Sequence, residues 1–386
     1  MRIAILHNHD HALLEEDPGR EAREDVLRVA SAMQAALSKP ASTASTAANR
    51  SNHDVLLVPV ERDLTRVHSL LERERPDVVI NLCESLAADS RGEMILPAVL
   101  DLLQVPYTGS SALSLALALH KNKAKEILRA RGVPTPESCV IEHVEDLAAI
   151  ALPFPLIVKP SREDASVGID FDSVVTTRQG LGRAVTRTLR TFRQPALVER
   201  FIEGREIYVP LFGNTPRRAL PLSEIRFGPA FAGKPNVVSY RAKWDTLSAE
   251  CVESPSEPAS LPRDVAARCV DVAMAAFEAL ECRDYGRVDL RVDHHGQPWV
   301  IDINPNCDLH PQAGFARAAE AAGLSYVDLA LHLVDLAWER RHGNQAPRLR
   351  RPSAAVGAAE PHRDLLAGRG LVRARSHRRR AHAQQS

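Results

Sequence analysis

Two short stretches carry the residue types that phosphoryl chemistry needs: Gly286-Arg287-Val288-Asp289-Leu290 and Ile301-Asp302-Ile303-Asn304-Pro305. Residues two apart in a strand share a face. Arg287 and Asp289 therefore point the same way, as do Asp302 and Asn304. His294-His295-Gly296 reads as a turn joining the two strands, 285–292 and 298–304, so the four polar side chains converge while their apolar neighbours enter the core. Two carboxylates and an amide oxygen are hard ligands suited to Mg²⁺ shared with substrate phosphates. Arg287 beside them would stabilise charge on a transferring phosphoryl group. A solvated surface hairpin is the plain alternative, and the specific polar set, running on into Asn304-Pro305-Asn306, argues against it.

A second signal is Lys159, which closes the apolar run Phe154-Pro155-Leu156-Ile157-Val158. Its stem packs in the strand and its ammonium is expected at the sheet edge, where it suits a phosphate. The loop from Ser161 to Gly168 could lay backbone amides and the Ser166 hydroxyl over phosphate oxygens. Only seven of the 49 basic residues are Lys, and three of them, Lys121, Lys123 and Lys125, fall on one helix. Generic surface charge here is Arg, so a retained Lys suggests a site that wants a compact ammonium. Neither a Gly-x-x-x-x-Gly-Lys-Ser/Thr loop nor a Gly-x-Gly-x-x-Gly turn occurs at a strand end, which leaves P-loop and Rossmann readings without support.

The elements that must position these groups form three blocks and a tail. Residues 1–115 alternate strand and helix, which argues for a parallel open sheet. The helix from Glu21 to Leu37 shows the 3.6 period through Val26, Val29, Ala30, Met33 and Leu37. Residues 116–198 and 199–342 read as two α+β units with closely spaced strands. Residues 41–51 form a low-complexity loop. The tail, 343–386, is Arg-rich with little apolar periodicity and reads as disordered. Its basic run carries the one suggestion of a nucleic-acid partner. Because the whole chain has net charge +0, a solvated extension is the better reading. No apolar run approaches the ~18 residues of a membrane span. The opening strand meets His7-Asn8-His9-Asp10 too soon for a signal peptide, so a cytoplasmic protein with reduced cysteines is expected.

Taken together, in this order, the motifs resemble the ATP-grasp superfamily and, within it, the D-alanine–D-alanine ligase-like proteins. The similarity runs from about Pro76 to Trp338. It rests on Lys159-Pro-Ser-Arg-Glu163, Ser166-Val-Gly168, Val198 to Glu206, Arg287-Val-Asp289 and Asp302-Ile-Asn-Pro-Asn306. The resemblance implies a three-domain ATP-grasp fold with ATP held between two α+β domains. Lys121 and Lys159 would contact the ATP phosphates. Glu199, Arg200, Phe201 and Ile202 would form the hinge that reads adenine, and Glu206 would bind the ribose. Asp289, Asp302 and Asn304 would hold two Mg²⁺ or Mn²⁺ ions. Arg287, Ser166 and Lys243 would serve the reaction, in which a carboxylate is activated by phosphorylation and an amine attacks the acyl phosphate. The substrates would be small carboxylates and amines of the amino-acid class, with no membrane partner, and a homodimer is compatible.

The departures from the family lie at the substrate end. The loop after the lysine is Asp164-Ala165-Ser166-Val167-Gly168 where Gly-Ser-Ser-Val-Gly is usual, and Lys243-Trp244 stands for Lys-Tyr. The N-terminal Ser-x-Glu-x-x-Val-Ser signature is not recognisable, with Glu21 and Glu24 as candidates for its Glu. Ala313 falls near the family's carboxylate-binding Ser, and Cys307-Asp308 near its Pro-Gly. Each lost buried partner removes ~1–3 kcal/mol, so a different substrate is expected, with the Trp244 indole as a flat apolar wall. The alternatives are a non-catalytic ATP-binding module and an ordinary cell-wall ligase. Glu84 or Glu93 could meet a substrate amine, with surface acids as the plain alternative.

Overall fold

A strand covered on both faces reads as an unbroken apolar run, and Arg2–Asn8 (β1) is one, buried at every residue after the first. It heads a computed structural model that describes residues 1–9, 20–38, 53–87 and 89–343, with the backbone alone for 20–24. The expected loop 41–51 and the tail beyond 343 lie outside the described residues. After β1 come α1 (Arg20–Leu37), β2 (Asp54–Val60), α2 (Leu64–Glu74), β3 (Val78–Asn81) and α3 (Ile95–Leu102). The three strands form a parallel sheet in the order β2-β1-β3. The α1 stripe Val26, Val29, Ala30, Met33 and Leu37 packs with Ile3 and Ile5. Ala4 and Leu6, which alternate with them, join Val67, Leu71, Leu96 and Leu100 of α2 and α3 on the other face.

Two short helices, α4 (Ala112–Leu119) and α5 (Lys121–Ala130), lead into an antiparallel sheet. It contains β4 (Ser138–Ile141), β5 (Leu156–Pro160), β6 (Val174–Val175) and β7 (Ala196–Arg200), in the order β4-β7-β5-β6. Helix α6 (Arg178–Phe192) covers one face through Leu181, Ala184 and Val185. The third sheet takes β8 (Arg205–Phe212), β9 (Arg218–Ala219) and β10 (Ser223–Ile225). Helices α7 (Tyr240–Trp244) and α8 (Ala249–Val252) follow, then β11 (Ser256–Pro258), α9 (Arg263–Ala279), β12 (Tyr285–Val292) and β13 (Pro298–Asn304). Its order is β11-β10-β8-β12-β13, with β9 against β8 and α9 beneath. Finally α10 (Gly314–Ala321) and α11 (Tyr326–His342) close against α1.

The hairpin β12–β13 and the parallel sheet stand where the sequence places them. The periodicity passed over α6 and α9. Gly180 and Gly182 open α6, and Cys269, Ala273 and Ala276 line the buried stripe of α9, so apolar contrast is weak in both. Lys159 corrects one expectation. Its strand is interior, paired with both β6 and β7, and its ammonium turns to Glu199 on β7 instead of to a sheet edge. Among the described residues no helix is long and apolar enough to cross a membrane.

One buried carboxylate ties the blocks together. Asp284, fully buried at the start of β12, accepts from the Gly109 amide and from Asn214 Nδ2, each at 2.8 Å, and from the Arg340 guanidinium of α11. Removing it leaves Arg340 partly buried without its counter-charge, a loss of ~3–5 kcal/mol for a buried pair. Asp284→Ala is therefore expected to lower the unfolding free energy obtained from urea denaturation by about that much, seen as a lower midpoint. An unchanged midpoint would show that the three segments hold without it.

Candidate functional site

Strands β12 and β13 pair with Arg287 opposite Asn304 and Asp289 opposite Asp302, and the register shifts between Asp289 and Leu290. The hairpin forms one wall of a cleft of about 490 Å³. The strand end at Lys159, the loop 163–169, the segment 199–202 after β7 and the α7 region supply the rest. That volume lies in the usual range of small-molecule sites, ~300–1,000 Å³. The residues expected to bind ATP, hold metal or serve the reaction line it: Lys121, Lys159, Ser166, Glu199 to Ile202, Glu206, Lys243, Arg287, Asp289, Asp302 and Asn304.

Four cations of the cleft wall, Lys121, Lys159, Arg287 and Arg291, meet carboxylates. Lys121 Nζ lies 2.6 Å from Asp302 and 3.0 Å from Asp164. Arg287 makes a two-pronged bond to Asp289 at 2.6 and 2.8 Å and stacks on the Tyr208 ring. Arg291 donates to Glu206 at 3.0 Å and to the Ile202 and Asn236 carbonyls. Glu199 sits between Lys159 and Lys125, 2.7 Å from each. Glu199 and Glu206 thus face a ligand with their charges already matched. Burial pushes the Asp302 carboxyl up, but Lys121 and Lys159 outweigh it, so Asp302 ends below the usual carboxylate range. The same balance, with Lys125 and Lys159, lowers Glu199. Burial raises Glu206 despite Arg291.

Asp289, Asp302 and Asn304 offer only oxygen donors, two of them anionic and on facing strands, which fits Mg²⁺ or Mn²⁺. The Asn304 amide donates its Nδ2 to Asp289 at 3.1 Å, which turns its oxygen to the ligand role. Among the described residues no group of three or more His, Cys, Asp or Glu gathers elsewhere into a metal site. Phosphate and water would complete the shell, as is usual for Mg²⁺.

The loop after Lys159 is held in an unusual shape. Ala165 and Ser166 both have positive φ, 54° and 62°, and Gly168 at +79° leaves no room for a side chain, since a Cβ there would meet Pro160 at 2.7 Å. The Ala165 carbonyl accepts from Trp244 Nε1 at 3.1 Å, and Ile169 O accepts from the Tyr240 amide. The indole is therefore a hydrogen-bond donor as well as an apolar wall. A contact expected to be missing is replaced by one to the backbone, and residue type alone could not show it.

The substrate end adds acids that the sequence reading ranked low or missed. Glu84, Asp25, Asp164 and Asp308 line a small recess beside Lys243, Trp244 and Arg287. Asp25 of α1 lines it, while the side chains of Glu21 and Glu24 lie outside the described residues. Glu93 accepts from Asn306 at 2.9 Å beside the same loop. Burial pushes Lys243 down, helped by Arg287. Ala313 caps α10 without a side-chain hydrogen bond. Cys307 is buried, and all six cysteines are free thiols.

Residues 127–335 match the family model described as D-ala D-ala ligase C-terminus. The protein y4sG of Sinorhizobium fredii is 36% identical over 305 residues, covering 76% of this chain and 85% of that protein. A D-alanine–D-alanine ligase of Desulforudis audaxviator is 33% identical over 293 residues, covering 75% and 89%. The crystal structure of D-alanine–D-alanine ligase from Bacillus anthracis complexed with ATP shares the fold, with a TM-score of 0.65 at 22% identity over 88% of this chain and 98% of that one.

Glu84 gives a measurable pH signature. Burial and then Asp308 raise its pKa from 4.5 to about 8. The folded state thus binds a proton that the unfolded state has lost, and stability falls as pH rises through that window. Glu84→Gln should flatten the decline in melting temperature between pH 5 and pH 8 seen by calorimetry. A variant with the parent slope would place the decline elsewhere.

Proposed function

The chain belongs to the D-alanine–D-alanine ligase family of ATP-grasp enzymes, and from that premise we propose that it joins a pair of substrates other than two D-alanines. It is an ATP-dependent ligase forming C–N bonds. The finer reading is carried by the altered closure of the cleft, where Trp244 bonds the Ala165 carbonyl and no hydroxyl pair spans the two loops.

In this reading Lys121 and Lys159 neutralise the ATP phosphates, and Arg200, Phe201 and Ile202 bound the adenine end. Glu206 meets the ribose. Bound Mg²⁺ would supply charge neutralisation between Asp289, Asp302, Asn304 and the phosphates. Arg287 stabilises the charge that develops as the carboxylate is phosphorylated, and Ser166 steadies the transferred group. Lys243, its pKa lowered, faces the reacting carboxylate. The enzyme's contribution is position and electrostatics, with the reactive acyl phosphate shielded from water by α7. Glu84, Asp25 and Asp308 favour an acceptor that arrives as an ammonium, and the indole beside them favours a side chain larger than methyl. An ordinary D-alanine ligase is the second reading, favoured by the family match itself.

Two experiments test this. Phosphate release is measured with D-alanine beside a panel of D- and L-amino acids, with product masses checked. Faster turnover is expected with a larger acceptor, and D-alanyl-D-alanine as the fastest product would sink the substrate reading. Asp302→Ala should abolish ADP formation with an unchanged circular dichroism spectrum, whereas parental turnover at saturating Mg²⁺ would remove Asp302 from the metal set.

A further inference from the structure

Lys125 is 3% exposed and does not line the cleft. It sits one turn after Lys121 on α5, so the two side chains leave the same face. Its Nζ lies 2.7 Å from one Glu199 oxygen and donates to Thr135 Oγ1 at 2.8 Å. The other Glu199 oxygen holds Lys159 Nζ at 2.7 Å. The outer ends of this chain reach β13 just before Asp302. Thr135 donates to the Val300 carbonyl at 2.8 Å, and Lys159 to the Ile301 carbonyl at 3.3 Å. One buried carboxylate thus takes an ammonium on each oxygen, and the group joins the β4-β7-β5-β6 sheet to the edge of the β11-β10-β8-β12-β13 sheet.

The charge count gives this arrangement its consequence. Lys125, Glu199 and Lys159 together carry +1, and Lys159 alone of the two ammoniums lines the cleft. Without Lys125, Glu199 would be matched by Lys159 only, and the cleft would face a neutral pair. In a poorly solvated site that difference is felt strongly by a polyanion. A carboxylate held on both oxygens is also fixed in rotation, which fixes the ammonium it aims. Burial draws Lys125 down to about 8 against the pull of Glu199, which leaves it charged at neutral pH.

We infer that Lys125 is a positioning residue for the nucleotide phosphates. It occupies Glu199 so that the Lys159 charge remains available to the cleft. The inference rests on the nucleotide reading above and goes beyond it, since Lys125 touches no ligand.

The test is calorimetric binding of a non-hydrolysable ATP analogue with Mg²⁺ and no acceptor, beside adenosine, which lacks phosphates. Lys125→Met should weaken analogue binding roughly tenfold, the loss of one charge-assisted contact, and leave adenosine binding unchanged. Lys125→Met with Glu199→Gln restores the +1 and should recover most of the loss, which a purely structural role would not do. Parental analogue affinity in Lys125→Met overturns the inference. So does equal weakening for adenosine, or a double variant no better than the single one. If Lys125→Met does not fold, Thr135→Val replaces it: several-fold weaker analogue binding with adenosine unaffected supports the inference, and no change overturns it. A parent protein that does not bind the analogue overturns the nucleotide reading together with this inference, whereas a parent that binds it beside an unaffected Lys125→Met overturns the inference alone.

Discussion

Buried charge must be paired, and in this protein the pairs at helix α5 bridge separate elements of the fold. Lys121 reaches Asp302 and Asp164, Arg287 holds Asp289, Arg291 holds Glu206, and Glu199 is shared by two lysines. A charge left alone in such a place costs several kcal/mol, so the hairpin, the loop after Lys159 and helix α5 fix one another's positions. The resulting cleft is preorganised: its charged groups stand at set distances and need little rearrangement to meet a ligand.

The same interlocking decides what the sequence discloses. The hairpin was legible because its information is local: alternation in two strands and a Gly turn place Arg287, Asp289, Asp302 and Asn304 on one face, and the register bears this out. Lys159 was legible as the end of a buried strand, but its carboxylate partner was not, because Glu199 lies on a strand distant in sequence. Asp25 carried no signal of its own, and Lys125 only that of the lysine cluster on its helix. Asp25 matters only through the way α1 lies on the sheet, and Lys125 only through Glu199, far along the chain. The Trp244 contact was beyond reach for another reason. Its acceptor is a backbone carbonyl, aimed by a positive φ at an alanine, and neither feature is written in residue type.

That alanine shows how a family site can drift. Two adjacent non-glycine residues in the left-handed region cost of order 1–3 kcal/mol each. The surrounding bonds hold the loop there: Ser166 O to the Ile169 amide, Ala165 O to the indole, and Gly168 packed against Pro160 and Phe192. The loop is thus closed through a backbone carbonyl and an indole.

Asp284 has a bearing on how the molecule comes into being. Its three partners come from residues 109, 214 and 340, so the carboxylate is fully matched only when distant parts of the chain have met. Contacts so far apart in sequence form late and slowly. During synthesis the parallel N-terminal sheet can assemble early, while the join around Asp284 must wait until Arg340 has left the ribosome. Until then the nascent chain carries a half-built core, with α1 still missing the helix that covers it, and in that interval it depends most on protection from aggregation.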